Sequence, residues 1–309
     1  MRKLVSTVNM EKSEWLKWRR MGIGGSDASV IAGVNPFRSV FQLWKEKTGQ
    51  AEPEEVETEY THFGSILEPV IKREFTRRTG LRIRNRYAIL QSEDYPFMLA
   101  DLDGVVNENG KRCIFEAKTA SAYKAELWEE GVPREYLYQI QHYMAVTGAE
   151  KTYIAALVGG NHFLYHEVYR DEEMIRGLIR MEQDFWVNHV LLGREPRADG
   201  SDATSAYLGE TYRRSNGQTI ELPKESLPLF EEYDRLNSQI QELKEAKEAV
   251  ANQMKLYLKE NEQGRIGDRK ITWKPVTSVT VDKKRLEKEQ KEIYEKYTTT
   301  NQYRRLSVA

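Results

Sequence analysis

Three ionisable residues sit where half-buried strands rarely carry charge. Asp103, Glu116 and Lys118 lie in FMLADLDGVVNENGKRCIFEAKTA, which reads as two apolar strands about the polar turn NENG. Side chains two apart on a strand face the same side. Glu116 and Lys118 therefore point together, Ala117 points into the core, and the Ala117 carbonyl stays available. Carboxylates on neighbouring strands can share a hard divalent cation, which takes oxygen ligands and fills its shell with water. An ammonium beside them can stabilise a developing hydroxide or polarise a phosphate. Glu116 follows Asp103 by 13 positions and opens E-A-K, with apolar strand before each carboxylate. That pattern fits metal-dependent phosphodiester hydrolysis. The plain alternative is a surface ion pair of Lys118 with either carboxylate. Asp101 offers a second carboxylate on the face of Asp103. Asp103 is preferred because it precedes Gly104, where a backbone can approach closely.

The elements that must position these residues are legible around them. Asn9 can cap a helix over MEKSEWLKWRR, and Ser26 or Asp27 can cap ASVIA, closed by Gly33. Ser39 can cap VFQLWKEKT. An acidic, proline-containing stretch, AEPEEVETE, follows. FGSILEPVIKREFTRRTG is helical, with Pro69 at a first turn or kink and Gly80 as its stop. LRIRNRYAIL begins a strand meander that runs into the hairpin above. Helices at about 121–130 and 134–147 come next, then strands KTYIAALV and HFLYHEVYR around GGN, then a long amphipathic helix from 171. IFEAKTA, helix, TYIAALV is a parallel crossover, so the expected core is α/β with a mixed sheet. Residues 1–193 read as that core, 194–222 as a polar linker or wrapping loop, and 223–309 as a long helix with a basic tail. In 224–261 apolar residues recur at three-four spacing from Tyr233 to Tyr257, broken at Lys247, a seam suited to a helical hairpin or coiled coil.

Composition excludes several classes. The chain has 309 residues, 39% hydrophobic and 31% charged, with no apolar run of membrane-spanning length. A signal peptide is not expected, nor a zinc cluster, and one cysteine, Cys113, suits a reducing cytosol. Net charge is −1, but residues 265–309 hold 12 Lys/Arg against 6 Asp/Glu, either a polyanion-facing tail or a solvated face.

DLDGVV…CIFEAKTA resembles the PD-(D/E)XK nuclease core, with LDG where the proline-aspartate of that name would stand. RRMGIGGSDASVIAGVNPF, FGSILEPVIKREF and YLYQIQHYMAVTG are similar to stretches of the YqaJ-type viral recombinase exonucleases, relatives of the lambda phage exonuclease. The resemblance spans roughly residues 13–190. It implies a restriction-endonuclease-like fold with a C-terminal long-helix appendage. It also implies a Mg²⁺-dependent (or Mn²⁺-dependent) 5′-to-3′ exonuclease that resects double-stranded DNA ends. Asp103, Glu116 and the Ala117 carbonyl would hold metal, Glu68 and Gln139 would shape the site, and Lys118 would activate water. Arg20 and Ser26 would hold the 5′-terminal phosphate. Gln141 is second choice to Gln139, and His62 is read as structural. The implied partners are a RecT/Redβ-type single-strand annealing protein and, as an open alternative, further copies of the chain; the implied setting is the cytoplasm of a bacterial host, from a phage or prophage. The alternatives are another nuclease of this fold, an endonuclease or end trimmer, and a non-catalytic DNA-end binding module.

Overall fold

A computed structural model describes residues 1–51 and 58–308, so most of the acidic stretch AEPEEVETE lies outside the described residues. The chain divides into two compact units, Met1–Thr211 and Tyr212–Ala309. In the first, the order is β1 (Arg2–Ser6), α1 (Lys12–Arg20), α2 (Gly25–Ile31), α3 (Val40–Lys47), α4 (Glu59–Thr79), β2 (Ile83–Arg84), β3 (Ala88–Gln91), β4 (Leu99–Asp101), β5 (Gly104–Glu108) and β6 (Lys111–Ala120). There follow α5 (Ala125–Glu130), α6 (Arg134–Thr147), β7 (Lys151–Val158), β8 (His162–Tyr169), α7 (Glu172–Asp184), a π-helical turn over Phe185–Leu191, and α8 (Asp202–Thr211).

Local chemistry accounts for most boundaries. Thr58 and Ser39 accept the capping bonds of α4 and α3, and Gly80 ends α4 in the left-handed region. Pro69 lies inside α4, not at its start, because the helix begins ten residues earlier at Glu59. Asn9 does not cap α1, which starts at Lys12 after Glu11; it takes a left-handed turn at φ 56°. Gly24, not Ser26 or Asp27, is the N-cap of α2, and Asp27 reaches back to the Gly24 N–H at 3.0 Å. Asn109 and Gly110 both have positive φ, the geometry of a tight hairpin turn.

A five-stranded sheet runs β2-β5-β6-β7-β8, with β6 and β7 parallel and the other pairs antiparallel, so the sheet is mixed as expected. A separate three-stranded sheet runs β1-β3-β4. What reads as a single strand before the turn is thus two, β4 and β5, in different sheets. LRIRNRYAIL is likewise split between β2 and β3. Along β6 the pleat sorts side chains. Cys113, Phe115 and Ala117 pack with Ile71 and Phe75 of α4, while Ile114 packs with Ile140 and Met144 of α6. Register sets one further feature. β5 pairs with β6 only from Lys111 to Phe115, but β7 pairs from Ile114 to Ala120. Residues 116–120 therefore have no strand beside them on the β5 side among the described residues.

α8 forms inside the stretch read as a linker; Thr204 is buried and Tyr207 meets Phe41 edge-on at 5.8 Å. The second unit holds α9 (Leu227–Leu258), the hairpin β9 (Gln263–Ile266) and β10 (Arg269–Thr272), α10 (Lys283–Glu289) and α11 (Lys291–Tyr297). The seam of α9 stays exposed at Leu236, Ile240, Leu243 and Val250.

Candidate active site

A cleft of about 1180 Å³ opens in the first unit, and Asp103, Glu116, Ala117, Lys118, Glu68, Gln139 and Ser26 all line it. Asp103 stands in the link between β4 and β5, where the chain leaves one sheet for the other. Its Oδ2 accepts the Ala117 N–H at 2.8 Å, a group the short β5 leaves unpaired. N–H and C=O of one strand residue point to the same side. The Ala117 carbonyl is thus turned toward Asp103 and the cleft, not into the ladder with β7. Gly104 could not carry a side chain here: a Cβ would lie 2.4 Å from Ile83 Cγ2.

Glu116 is buried. Its Oε1 accepts Lys118 Nζ and Gln139 Nε2, both at 2.8 Å, and Lys118 also reaches Gln139 Oε1 at 3.1 Å. Its Oε2 is buried with no hydrogen-bond partner among the described residues. Such an atom normally has one, so it asks for a cation. Burial pushes the Asp103 carboxyl well above its usual range, and the Glu116 charge adds to the shift; Lys118 only partly offsets it. Burial likewise raises the Glu116 carboxyl against the pull of Lys118. Burial works against the Lys118 ammonium, yet the charges of Glu116 and Asp103 hold its pKa above the usual lysine value. The protein therefore brings together two acidic groups that one ammonium does not satisfy. No cluster of three His, Cys, Asp or Glu side chains that could hold a metal occurs among the described residues. The available donors are the free oxygens of Asp103 and Glu116 and one carbonyl, a set that fits a hard cation which keeps several waters.

Other groups fix this geometry. Lys72, one turn beyond Glu68 on α4, spends its three donors on Glu68 Oε1 (2.5 Å), the Asp103 carbonyl (2.6 Å) and Asn85 Oδ1 (3.0 Å). Gln139 also reaches the Tyr143 hydroxyl at 3.1 Å. Behind it, buried His142 on α6 bonds the Leu99 carbonyl and Glu182, both at 2.8 Å, tying α6 to β4 and α7. Gln141 faces away and bridges the Tyr169 carbonyl and the Asp171 N–H. Tyr136 places its ring 4.8 Å from Lys118 Nζ.

At one wall, Arg19 donates to Ser26 Oγ at 2.6 Å and stacks on Trp15 at 4.8 Å; Trp15 Nε1 in turn bonds Asp101 at 2.6 Å. Asp27 is fully buried with Lys47 at 2.7 Å, Arg38 at 3.0 Å and Arg19 at 3.8 Å. Burial opposes its ionisation, but Lys47, Arg19 and Arg38 outweigh that and hold its carboxyl far below the ordinary range. The glycines of GIGGSD serve close approach. A Cβ on Gly25 would lie 2.5 Å from Tyr143 Cε1 and 2.9 Å from Gln139 Cγ.

Arg20 requires a correction. It is not among the described residues lining the cleft, whereas Arg19 is. The helical period explains the difference: Arg19 lies one turn after Trp15 and shares its face, and Arg20 is turned about 100° away. His62 on α4 is also absent from the lining and meets Phe63 edge-on at 5.5 Å. Sequence reasoning missed Arg19, Lys72, Trp15 and Tyr136; the four-residue spacings Trp15–Arg19 and Glu68–Lys72 were the available signals.

Comparison with known proteins adds independent findings. A model of the YqaJ-like viral recombinase domain matches residues 14–150. The "Uncharacterized protein YqaJ" of Bacillus subtilis (strain 168) is 39% identical over 309 residues, covering 99% of this chain and 96% of its own length. The crystal structure of LHK-Exo in complex with dAMP superposes with a TM-score of 0.50 at 19% identity, over 57% of this chain and 92% of that chain. A second LHK-Exo structure, described as an alkaline exonuclease from Laribacter hongkongensis, gives 0.49 at 18% identity over the same shares.

Proposed function

From the premise that this chain belongs to the YqaJ-like viral recombinase family, we propose that it is a Mg²⁺-dependent 5′-to-3′ exonuclease that resects double-stranded DNA ends. The observation that carries the reading is the partnerless, buried Oε2 of Glu116 beside Asp103 and Lys118 in one cleft. Asp103, Glu116 and the Ala117 carbonyl would hold the ion, which supplies Lewis-acid charge and lowers the pKa of bound water. Mn²⁺ has the same ligand preference.

The chain's own groups do the rest. Glu116 and Gln139 aim the Lys118 ammonium into the cleft, where it stabilises an incoming hydroxide or a phosphate oxygen. Lys72 fixes Glu68 and the Asp103 backbone. Arg19 and Ser26 hold a terminal phosphate through a guanidinium and a hydroxyl. Water adds to phosphorus, the P–O3′ bond breaks, and the departing nucleotide takes the proton on its 3′ oxygen. The strand left behind again ends in a 5′-phosphate, so the same pocket can take the next turn. A RecT/Redβ-type annealing protein would coat the exposed strand. Further copies of this chain and the basic tail at 265–309 are additional contacts within this reading.

The test is digestion of linear duplex DNA, end-labelled on either strand, with and without Mg²⁺. Loss of the 5′ label first, only with the ion, is expected. Internal nicking, or binding without cleavage, would replace this reading with an endonuclease or an end-binding module.

A further inference from the structure

β2 is the edge strand of the five-stranded sheet and lies within the stretch LRIRNR, residues 81–86, whose Leu81 and Ile83 both pack toward α4. Ile83 faces α4 and packs against the cluster of Ile71, Phe75 and Val106. Alternation turns Arg82 and Arg84 to the opposite face. Register identifies that face. Arg84 stands opposite Val105, and Val105 opposite Ile114. Ile114 shares its face with Glu116, two residues on. Two strand spacings and two residues place Arg84 ~12 Å from Glu116. Arg82 and Arg84 flank Ile83, and Arg86, beyond the end of β2, lines the cleft itself. All three are exposed, and none has a carboxylate partner among the described residues. Three uncompensated guanidinium groups in a row repel one another, a cost that a polyanion would relieve.

We propose that Arg82, Arg84 and Arg86 form a cationic rail that carries the phosphate backbone of duplex DNA to and from the cleft. The proposal rests on the nuclease reading above and adds the path of the undigested duplex. The competing account is that these arginines only protect an open sheet edge from pairing with other chains.

Salt dependence separates the two. Each phosphate contact contributes about −0.9 to the slope of log K against log[salt] for duplex DNA. Binding of a 5′-phosphorylated duplex, followed by fluorescence anisotropy without metal between 50 and 200 mM salt, measures that slope. Arg82→Ser/Arg84→Ser should flatten it by about 1.8, and Arg82→Lys/Arg84→Lys should restore it. Arg176→Ser/Arg180→Ser, which removes two exposed arginines of α7, should leave it unchanged. A double serine variant with wild-type slope and unaltered circular dichroism overturns the rail and leaves edge protection. If the wild type itself binds no duplex, the nuclease reading fails first.

Discussion

On the proposed reading the protein prefers 5′-phosphorylated ends, and removing the Arg19 guanidinium, Arg19→Ala, should abolish most of that preference. Arg19 is free to reach a ligand because its side chain is 26% exposed, while Lys47 and Arg38 lie nearer to Asp27 than it does. The buried carboxylate therefore keeps two close cations in the variant, and the fold should survive. Hydrogen bonds to charged groups contribute about 1.5–3 kcal/mol, roughly tenfold to a hundredfold. Partial exposure to water puts Arg19 at the lower end, near ~10-fold. The assay compares initial digestion rates on two duplexes that differ only in a 5′-phosphate or a 5′-hydroxyl. The variant should lose ~10-fold on the phosphorylated substrate and little on the other, so the ratio collapses toward one. Arg20→Ala should leave the ratio intact. An unchanged ratio in Arg19→Ala, or a collapse in Arg20→Ala, would refute both the pocket and the helical-face argument that selects Arg19.

Three further outcomes are expected. Asp103→Asn and Glu116→Gln should each abolish cleavage while duplex binding persists, and calorimetric titration with Mn²⁺ should show the loss of ion binding directly. Asp27→Asn leaves buried Lys47 unpaired and should cost about 3–5 kcal/mol in denaturant unfolding. Because the folded Asp27 carboxyl is held below its ordinary value of 3.8, the unfolded chain takes up a proton first as pH falls. That stability is complete above about pH 5 and drains away below about pH 4, so the acid arm of the wild-type profile should be steeper than that of Asp27→Asn. Gly25→Ala must push α2 off Tyr143 and Gln139, at about 1–3 kcal/mol, and should lower the cleavage rate more than the melting temperature suggests.

From α1 to α7 the order of elements, the mixed sheet and the parallel crossover were legible because pattern and turn chemistry agreed with them, whereas β1 was not read. Ser39, Gly80 and the Asn109–Gly110 turn each acted where their residue types suggested. The division of FMLADLDGVV between two sheets was not legible: Leu99 to Val106 alternates acceptably as one strand, and only tertiary pairing separates β4 from β5. The choice between adjacent arginines was hidden for a similar reason. Both follow the same tryptophan-bearing stretch, and the exact start of α1 decides which one turns toward Ser26. α8 carries too weak a pattern to be read, since its place is set by Phe41 and Thr204 in contact with the body of the unit.

The shortness of β5 has an evolutionary consequence. Because it begins only at Gly104, the main chain of β6 from Glu116 onward forms part of the cleft floor, and the proposed contribution of Ala117 would come from the peptide group, not the side chain. No point mutation can delete a carbonyl. Substitution scanning would therefore report position 117 as a packing position facing α4, tolerant of small residues, and would pass over its role. Any residue small enough to pack against α4 at this position would supply the same carbonyl, as long as the strand keeps its register. An amide-to-ester replacement at the following linkage, which weakens the carbonyl as a donor without altering any side chain, is the kind of change that would expose it.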